Sequence, residues 1–288
     1  GTAPIIECTS SAGIITPEGF ISSENGFTGI LALGDPELTV GVASSPKKEE
    51  ARLTGQMVAK EAMKKAGRTD SPAYFYMVAS PAEEEDYIKG IEDVIGRVPI
   101  FGGSAADNTV EGKWSIYTNN EIFVDGVAVA FFYTDKKMSN VYTGAYHETI
   151  NSGIITKISG KRTLVEIDGE PAVKKYAKWT GKKLKDLEGA NLLAETVTAP
   201  LGVKDRLGDL IAIRHPMFAN EDGSMNIGAN LAVNTAVIQM EASVDELIKA
   251  TGKTAKKVNK ELENKGTEAG AYLFIHCGGR RLAIGDRI

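Results

Sequence analysis

The sequence predicts a mixed α/β protein of two domains, each a largely buried mixed β-sheet flanked by helices and built from duplicated strand–helix–strand units. Three observations carry that prediction. The chain has 288 residues, room for two domains. Its apolar runs are short and continuous, the mark of strands covered on both faces, and they alternate with amphipathic helical patterns. The pattern Thr39–Ala43, helix, Ala73-Tyr74-Phe75-Tyr76 recurs as Val237–Glu241, helix, Ala271-Tyr272-Leu273-Phe274, offset by 198 residues (237 minus 39).

The elements follow in order. Residues 4–13, PIIECTSSAG, form a short strand opening into a small polar loop. Gly26–Leu33 and Glu37–Ala43 read as strands joined by the turn Gly34-Asp35-Pro36. Glu49–Ala66 is an amphipathic helix with acidic residues at its start and Gly67 closing it. Ala73–Ala79 is an apolar strand. Ser80-Pro81 opens a helix, with Glu83 completing a capping box and Ile88, Ile91 and Ile95 facing inward. Val98–Phe101 is a strand ending in GGSAADN, residues 102–108. Glu121–Tyr133 is a strand pair, or one strand kinked at Asp125-Gly126, and Val141–His147 is a further strand.

A hairpin over Ile154–Ile158 and Thr163–Ile167 turns at Ser159-Gly160. Asp168–Pro171 turns into a helix over Pro171–Thr180, and Lys182–Leu187 lies on the surface. Strands follow at Pro200–Val203 and Ile211–Met217, with a turn at Glu221–Ser224. The helix after Val237–Glu241 starts at Ser243, capped by Glu246. The boundary falls near Ser152-Gly153, giving domains 1–152 and 153–288.

Ala271–Arg281, AYLFIHCGGRR, concentrates the chemistry. A buried strand, AYLFI, delivers His276, Cys277, two glycines and two arginines around a tight turn, and strand ends of this kind are where ligands sit in sheets flanked by helices. The bland alternative is a Cys277 that is merely a small buried hydrophobe beside solvated arginines. A second echo pairs Pro4-Ile5-Ile6 before CTSSAG with Pro99-Ile100-Phe101 before GGSAAD, and Gly29–Leu33 with Gly126–Ala130, at offsets of 95 (99 minus 4) and 97 (126 minus 29). The repeat further predicts that the sequence is a fragment, because the counterpart of Val98–Phe101 would fall at 296–299.

Composition excludes several function classes. The net charge of −5 argues against a general nucleic-acid surface, and no apolar run reaches the roughly 20 residues of a membrane span. Two cysteines cannot form a disulfide scaffold, which implies a reducing, cytoplasmic setting. With His147, His215 and His276 they are too scattered for structural zinc.

CTSSAG at 8–13, PIFGGSAAD at 99–107 and DGVAVA at 125–130 occur in this order. They are followed by the Ile154–Asp168 hairpin with Gly169-Glu170-Pro171, PLG at 200–202, RHP at 214–216 and CGGR at 277–280. In order and spacing this series resembles the FIST domain family, N-terminal and C-terminal parts together, over nearly the whole chain. The family pattern runs on past CGGR to another glycine-rich strand end. The resemblance implies a sensory input module that binds a small ligand, amino acids among the suggestions, and passes the signal to an output domain or protein; some members look like haem-binding gas sensors.

The candidate ligand-binding residues are Cys8, Thr9, Ser10, Gly102, Gly103, Ser104, Asp107, His215, Cys277 and Arg280. The GGSAAD backbone can cradle an anion, although it lacks the ending of a nucleotide phosphate loop; a tight turn packing under a sheet is the alternative. Asp107 can accept from a ligand amine. Arg280 can hold a carboxylate bidentately, against the alternative of a surface arginine or a structural salt bridge. His276 directly adjoins Cys277, and strand neighbours point to opposite faces, which weakens a thiol–imidazole catalytic pair. The expected function is therefore ligand sensing without turnover, in a cleft at glycine-rich strand ends, with no required cofactor. The rivals are a Cys-dependent hydrolase or transferase and a haem sensor.

Overall fold

A computed structural model describes residues 3–109, 111–119, 121–204 and 211–288. The chain divides into two compact units. The first comprises residues 1–141 and 258–275, the second 142–257 and 276–288.

The first unit contains β1 (Ile6–Cys8), β2 (Ile14–Thr16), β3 (Gly19–Ile21), β4 (Thr39–Pro46), α1 (Ala51–Ala66), β5 (Tyr74–Ala79), α2 (Glu84–Ile95), β6 (Ile100–Ser104), β7 (Ile116–Thr118), β8 (Glu121–Phe123) and β9 (Gly126–Tyr133). Its main sheet has the order β4-β9-β5-β6. Strand β9, GVAVAFFY, is buried along its whole length. It pairs antiparallel with β4 from Thr39↔Tyr133 to Pro46↔Gly126 and with β5 on its other edge. Strands β5 and β6 are parallel. Thus β4, β5 and β6 all run the same way and end together.

Helices α1 and α2 cover one face, burying Val58, Ala59, Ala62, Tyr87, Ile91 and Ile95 against Phe75, Met77, Val129 and Phe131. The two helices meet at glycines. A Cβ on Gly90 would stand 2.0 Å from the Arg52 carbonyl oxygen, and one on Gly55 2.4 Å from that of Tyr87. Helix α1 ends at Gly67 in the left-handed conformation, as its sequence predicts.

A small sheet, β1-β7-β8, lies beside this core; Cys8 and Ile6 pack with Val78, Ala105, Ile116 and Ala128. Strands β7 and β8 are three residues each, and β7, the partner of β1, carries no periodicity signal of its own.

The second unit contains β10 (His147–Ser159), β11 (Thr163–Ile167), β12 (Glu170–Pro171), α3 (Ala172–Thr180), α4 (Leu193–Thr196), β13 (Leu201–Lys204), β14 (Ile211–Arg214), β15 (Pro216–Ala219), β16 (Met225–Ile227) and β17 (Ala236–Glu241). Helix α5 (Val244–Asn264) follows, and the division between the units runs through it; α6 (Gly278–Ile284) belongs to the second. The sheet order is β14-β13-β17-β10-β11-β16-β15, with β12 on β11. Tyr176, Val173 and Ala177 of α3 pack on Ile155, Leu164, Ile167 and Leu201. The Ser243 hydroxyl and Glu246 form the expected capping box of α5. Among the described residues, no helix is long and apolar enough to cross a membrane.

The mixed α/β class holds, with several local corrections. Ala271–Ile275 is not a strand and not buried: it is irregular, with Tyr272, Leu273, Phe274 and Ile275 each about half exposed. The second copy of the repeat therefore lacks its last strand among the described residues, while the first copy, β4-α1-β5, is complete. Gly26–Leu33 likewise forms no strand, and Ile30 is 88% exposed. Val141–Tyr146 is irregular before β10 begins. Leu187 of the supposedly exposed Lys182–Leu187 stretch is buried. The Ser80 capping box does not form. Helix α2 starts at Glu84, and Ser80 donates instead to Asp125 Oδ1 at 2.7 Å. Ala82, in the left-handed region at φ 99°, separates the strand from the helix.

Gly102 is the clearest sequence-imposed constraint on β6. Its φ is +131°, and a Cβ would stand 1.9 Å from the Met77 carbonyl oxygen; at Gly103 the nearest atom, Cγ2 of Ile275, is 3.5 Å away. Gly102→Ala is expected to cost more than about 3 kcal/mol and Gly103→Ala less than about 1 kcal/mol in urea melts. Equal losses would show that β6 adapts to a side chain.

Candidate functional site

In the first unit the two small-residue loops meet. The Ala106 N–H donates to the Thr9 carbonyl at 3.1 Å, and the Ala12 N–H donates to Asn108 Oδ1 at 2.6 Å. Thr9 also bonds Ser115 twice: its N–H donates to the Ser115 carbonyl at 3.0 Å, and its Oγ1 accepts from the Ser115 N–H at 2.9 Å. Asn108 holds Ala12 in the left-handed region at φ 68°, a conformation a non-glycine residue keeps only when its surroundings fix it. Cys8, Thr9 and Ser10 are thus joined to the Gly102–Asp107 loop. Ser104 sits at the edge of the group and donates to Glu84 Oε1 at 2.6 Å.

Asp107 is engaged by its own loop. Its carboxylate accepts from the N–H groups of Thr109, Glu111, Gly112 and Lys113 and from the Thr109 hydroxyl. Burial works to raise its pKa, but the backbone donors outweigh it and hold the group well below the usual carboxylate range. Asp107 therefore frames the loop. Cys8 is half-buried among apolar side chains; burial first, then the Glu7 charge, pushes its thiol up, the opposite of an activated nucleophile.

In the second unit, Cys277 and Arg280 lie beside α4 and the segment before β10, and His215 reaches the same helix through Leu193. Cys277 is exposed and stands at the N-cap of α6. Gly278–Arg281 is helical, so neither glycine makes the expected tight turn and Arg280 projects from a helix. A Cβ on Gly279 would stand 3.7 Å from both Cys277 Sγ and Val197 and 3.8 Å from Leu193. Tyr146 donates its hydroxyl to the Val197 carbonyl at 2.8 Å. Burial pushes that hydroxyl up to about 12; the Cys277 charge adds to the shift and the Arg280 guanidinium opposes it, so all three share one electrostatic environment. His276 is lowered by burial first and then by Arg280. Arg280 itself is half-buried, with no hydrogen bond or ion pair among the described residues. Tyr146, Leu193 and Val197 escaped sequence reasoning because they carry no motif, and Tyr146 lies in a segment read as strand.

His215 is held mostly buried between α4 and β15. Burial lowers its pKa to about 4, against an opposing hydrogen bond with the Leu193 backbone, and Nε2 has no partner among the described residues.

The order of these loops along the chain decides the family. The FIST N domain model matches residues 1–170 and the FIST C domain model residues 172–288. The chain belongs to the FIST family. No curated protein matches it. FIST domains are associated with sensory signal transduction and act as small-ligand sensors. In this FIST protein the Ala106 N–H to Thr9 carbonyl bond joins the N-domain loops, while in the C domain Arg280 has no ion pair among the described residues.

The His215 environment has a pH consequence. The unfolded chain protonates this imidazole near pH 6.5 and the folded chain resists protonation down to about 4. The unfolded state therefore binds more protons in that window, and stability falls as pH drops through it, by up to about 3 kcal/mol. His215→Gln is expected to flatten the urea-melt midpoint between those pH values relative to the parent; parallel curves would remove His215 as the titrating group.

Proposed function

We propose that this FIST protein is the input module of a signalling system and that it takes a small carboxylate, free amino acids being the leading class, through Arg280. One observation carries the reading: a half-buried guanidinium with no counter-charge among the described residues. Partly burying a cation without a partner costs free energy, and a carboxylate held by the guanidinium fork offsets that cost. Tyr146, Cys277 and His215 border the same neighbourhood. The Cys8–Ser10 and Gly102–Ser104 loops are a separate group of candidates within the first unit, with Asp107 shaping its own loop.

The raised Cys8 thiol works against a Cys-dependent hydrolase or transferase that uses that residue. Both cysteines are free thiols, which fits work in a reducing compartment such as the cytoplasm. A ligand that binds one conformational state better than another shifts its population, and an output protein or domain reads that shift.

The test is a thermal-shift screen against free amino acids and small carboxylates. A ligand at a hundredfold excess over Kd adds about 2.7 kcal/mol, and each kcal/mol moves Tm by roughly 2–4 °C for a domain of this size. Arg280→Ala is expected to abolish the shift while leaving the ligand-free Tm in place, and Arg280→Lys to retain part of it, because an ammonium cannot make the bidentate fork. A full response in Arg280→Ala removes Arg280 from the site.

A further inference from the structure

The end of the main sheet of the first unit holds a cavity that includes none of the candidate ligand-binding residues. Strands β4, β5 and β6 all finish there, and ligands in such sheets sit outside the carboxyl ends of the strands. The cavity measures about 490 Å³, and its walls include Lys47, Ser80, Ala82, Glu83, Trp114 and Asp125.

One of its polar groups is buried and the others line an open rim: Asp125 is exposed, and Lys47 and Glu83 are half-buried. Ser80 is 3% exposed. Its hydroxyl donates to Asp125 Oδ1 at 2.7 Å and accepts the Gly126 N–H at 3.0 Å. The Lys47 N–H donates to the Asp125 carbonyl at 2.9 Å, which fixes the loop that carries the carboxylate. Behind them lies the Tyr87 hydroxyl. Tyr87 is fully buried with its hydroxyl toward Ser80; burial pushes that hydroxyl up to about 12, Ser80 opposes the shift, and the charges of Asp125 and Glu83 add to it. Ala82, at φ 99°, is a non-glycine residue in strained backbone at the cavity wall, and such strain gathers at ligand sites.

The charge balance names the ligand class. Lys47 Nζ stands 2.5 Å from Glu83 Oε2, so that pair neutralises itself. Asp125 remains, with one oxygen taken by Ser80 and no salt bridge among the described residues, although the Lys47 charge also reaches it. Trp114 is pinned by its indole N–H donating to the Val124 carbonyl at 3.0 Å, and its ring adds an aromatic wall of the kind that attracts cations. We propose that this cavity binds a small organic ammonium ion, its N–H groups donating to Asp125 and its carbon chain lying along Trp114, Pro81 and Ala82. The site is separate from Arg280 and independent of the carboxylate reading.

The test uses the full chain labelled with ¹⁵N. It has two tryptophans, hence two indole N–H signals, and Trp114→Phe assigns the one in the cavity. Titration with n-propylammonium is expected to shift the Trp114 signal saturably, while propionate at equal ionic strength does not. Asp125→Asn is expected to weaken the affinity by about tenfold. Lys47→Met leaves Glu83 uncompensated and is expected to tighten it several-fold, so the sign of that change decides the matter even if Asp125→Asn fails to fold. No saturation below about 100 mM, an equal response to propionate, or no tightening in Lys47→Met would overturn the proposal. Arg280 enters none of these readouts, so failure here leaves the carboxylate response untouched, and the converse.

Discussion

Strand β9 is the constraint from which the first unit is built. All eight of its residues are buried, and both of its edges are hydrogen-bonded without a break. A strand so placed must be antiparallel to both neighbours or be reached by long crossovers on each side. Here it is antiparallel to both, so β4 and β5 run the same way, and the α2 crossover adds β6 parallel to β5. One consequence is chemical. The turns that follow β4, β5 and β6 all lie at one end of the sheet, and there the polar residues Lys47, Ser80, Glu83 and Ser104 gather. The opposite face is closed by two helices whose glycines allow backbone-to-backbone packing, which leaves little room for a ligand beneath them.

Much of this was legible in the sequence. Helix α1 announces itself by spacing and by Gly67; α5 by Ser243 and Glu246; β9 by an apolar run with no alternation. The meeting of CTSSAG with GGSAADN was legible too, as two polar, small-residue loops after short apolar strands. What periodicity cannot supply is the neighbour. Ala271–Ile275 has the composition of a buried strand, yet a strand exists only where another backbone offers its N–H and C=O groups, and this segment has no ladder among the described residues. Gly26–Leu33 fails for the same reason. The reverse error occurs at Ile116–Thr118, too short to carry a pattern, which becomes a strand because β1 and β8 lie on either side.

Ser80 shows how a local rule loses to tertiary structure. Ser80-Pro81-Ala82-Glu83 satisfies the capping pattern residue for residue. A cap requires the hydroxyl to turn toward the first free N–H groups of the helix, and such a bond is worth about 1 kcal/mol. Buried at the end of β5, the same hydroxyl has a stronger partner, the Asp125 carboxylate, and a charge-assisted bond of that kind outweighs a neutral cap. The chain then passes through Ala82 at positive φ, and the helix begins three residues later than the motif suggests (84 minus 81).

The two candidate sites differ in what the fold asks of them. Around Arg280, a cation is left without its counter-charge, so the demand is for an anion. At the sheet end, Lys47 satisfies Glu83 and leaves Asp125 over, so the demand is for a cation. These residual charges cost the fold little, since pairing a charge that water reaches is worth about 0–1 kcal/mol. A charge left without an ion pair inside its unit is open to a counter-charge from outside the chain, and in the proposed sensor the completed and uncompleted states must differ.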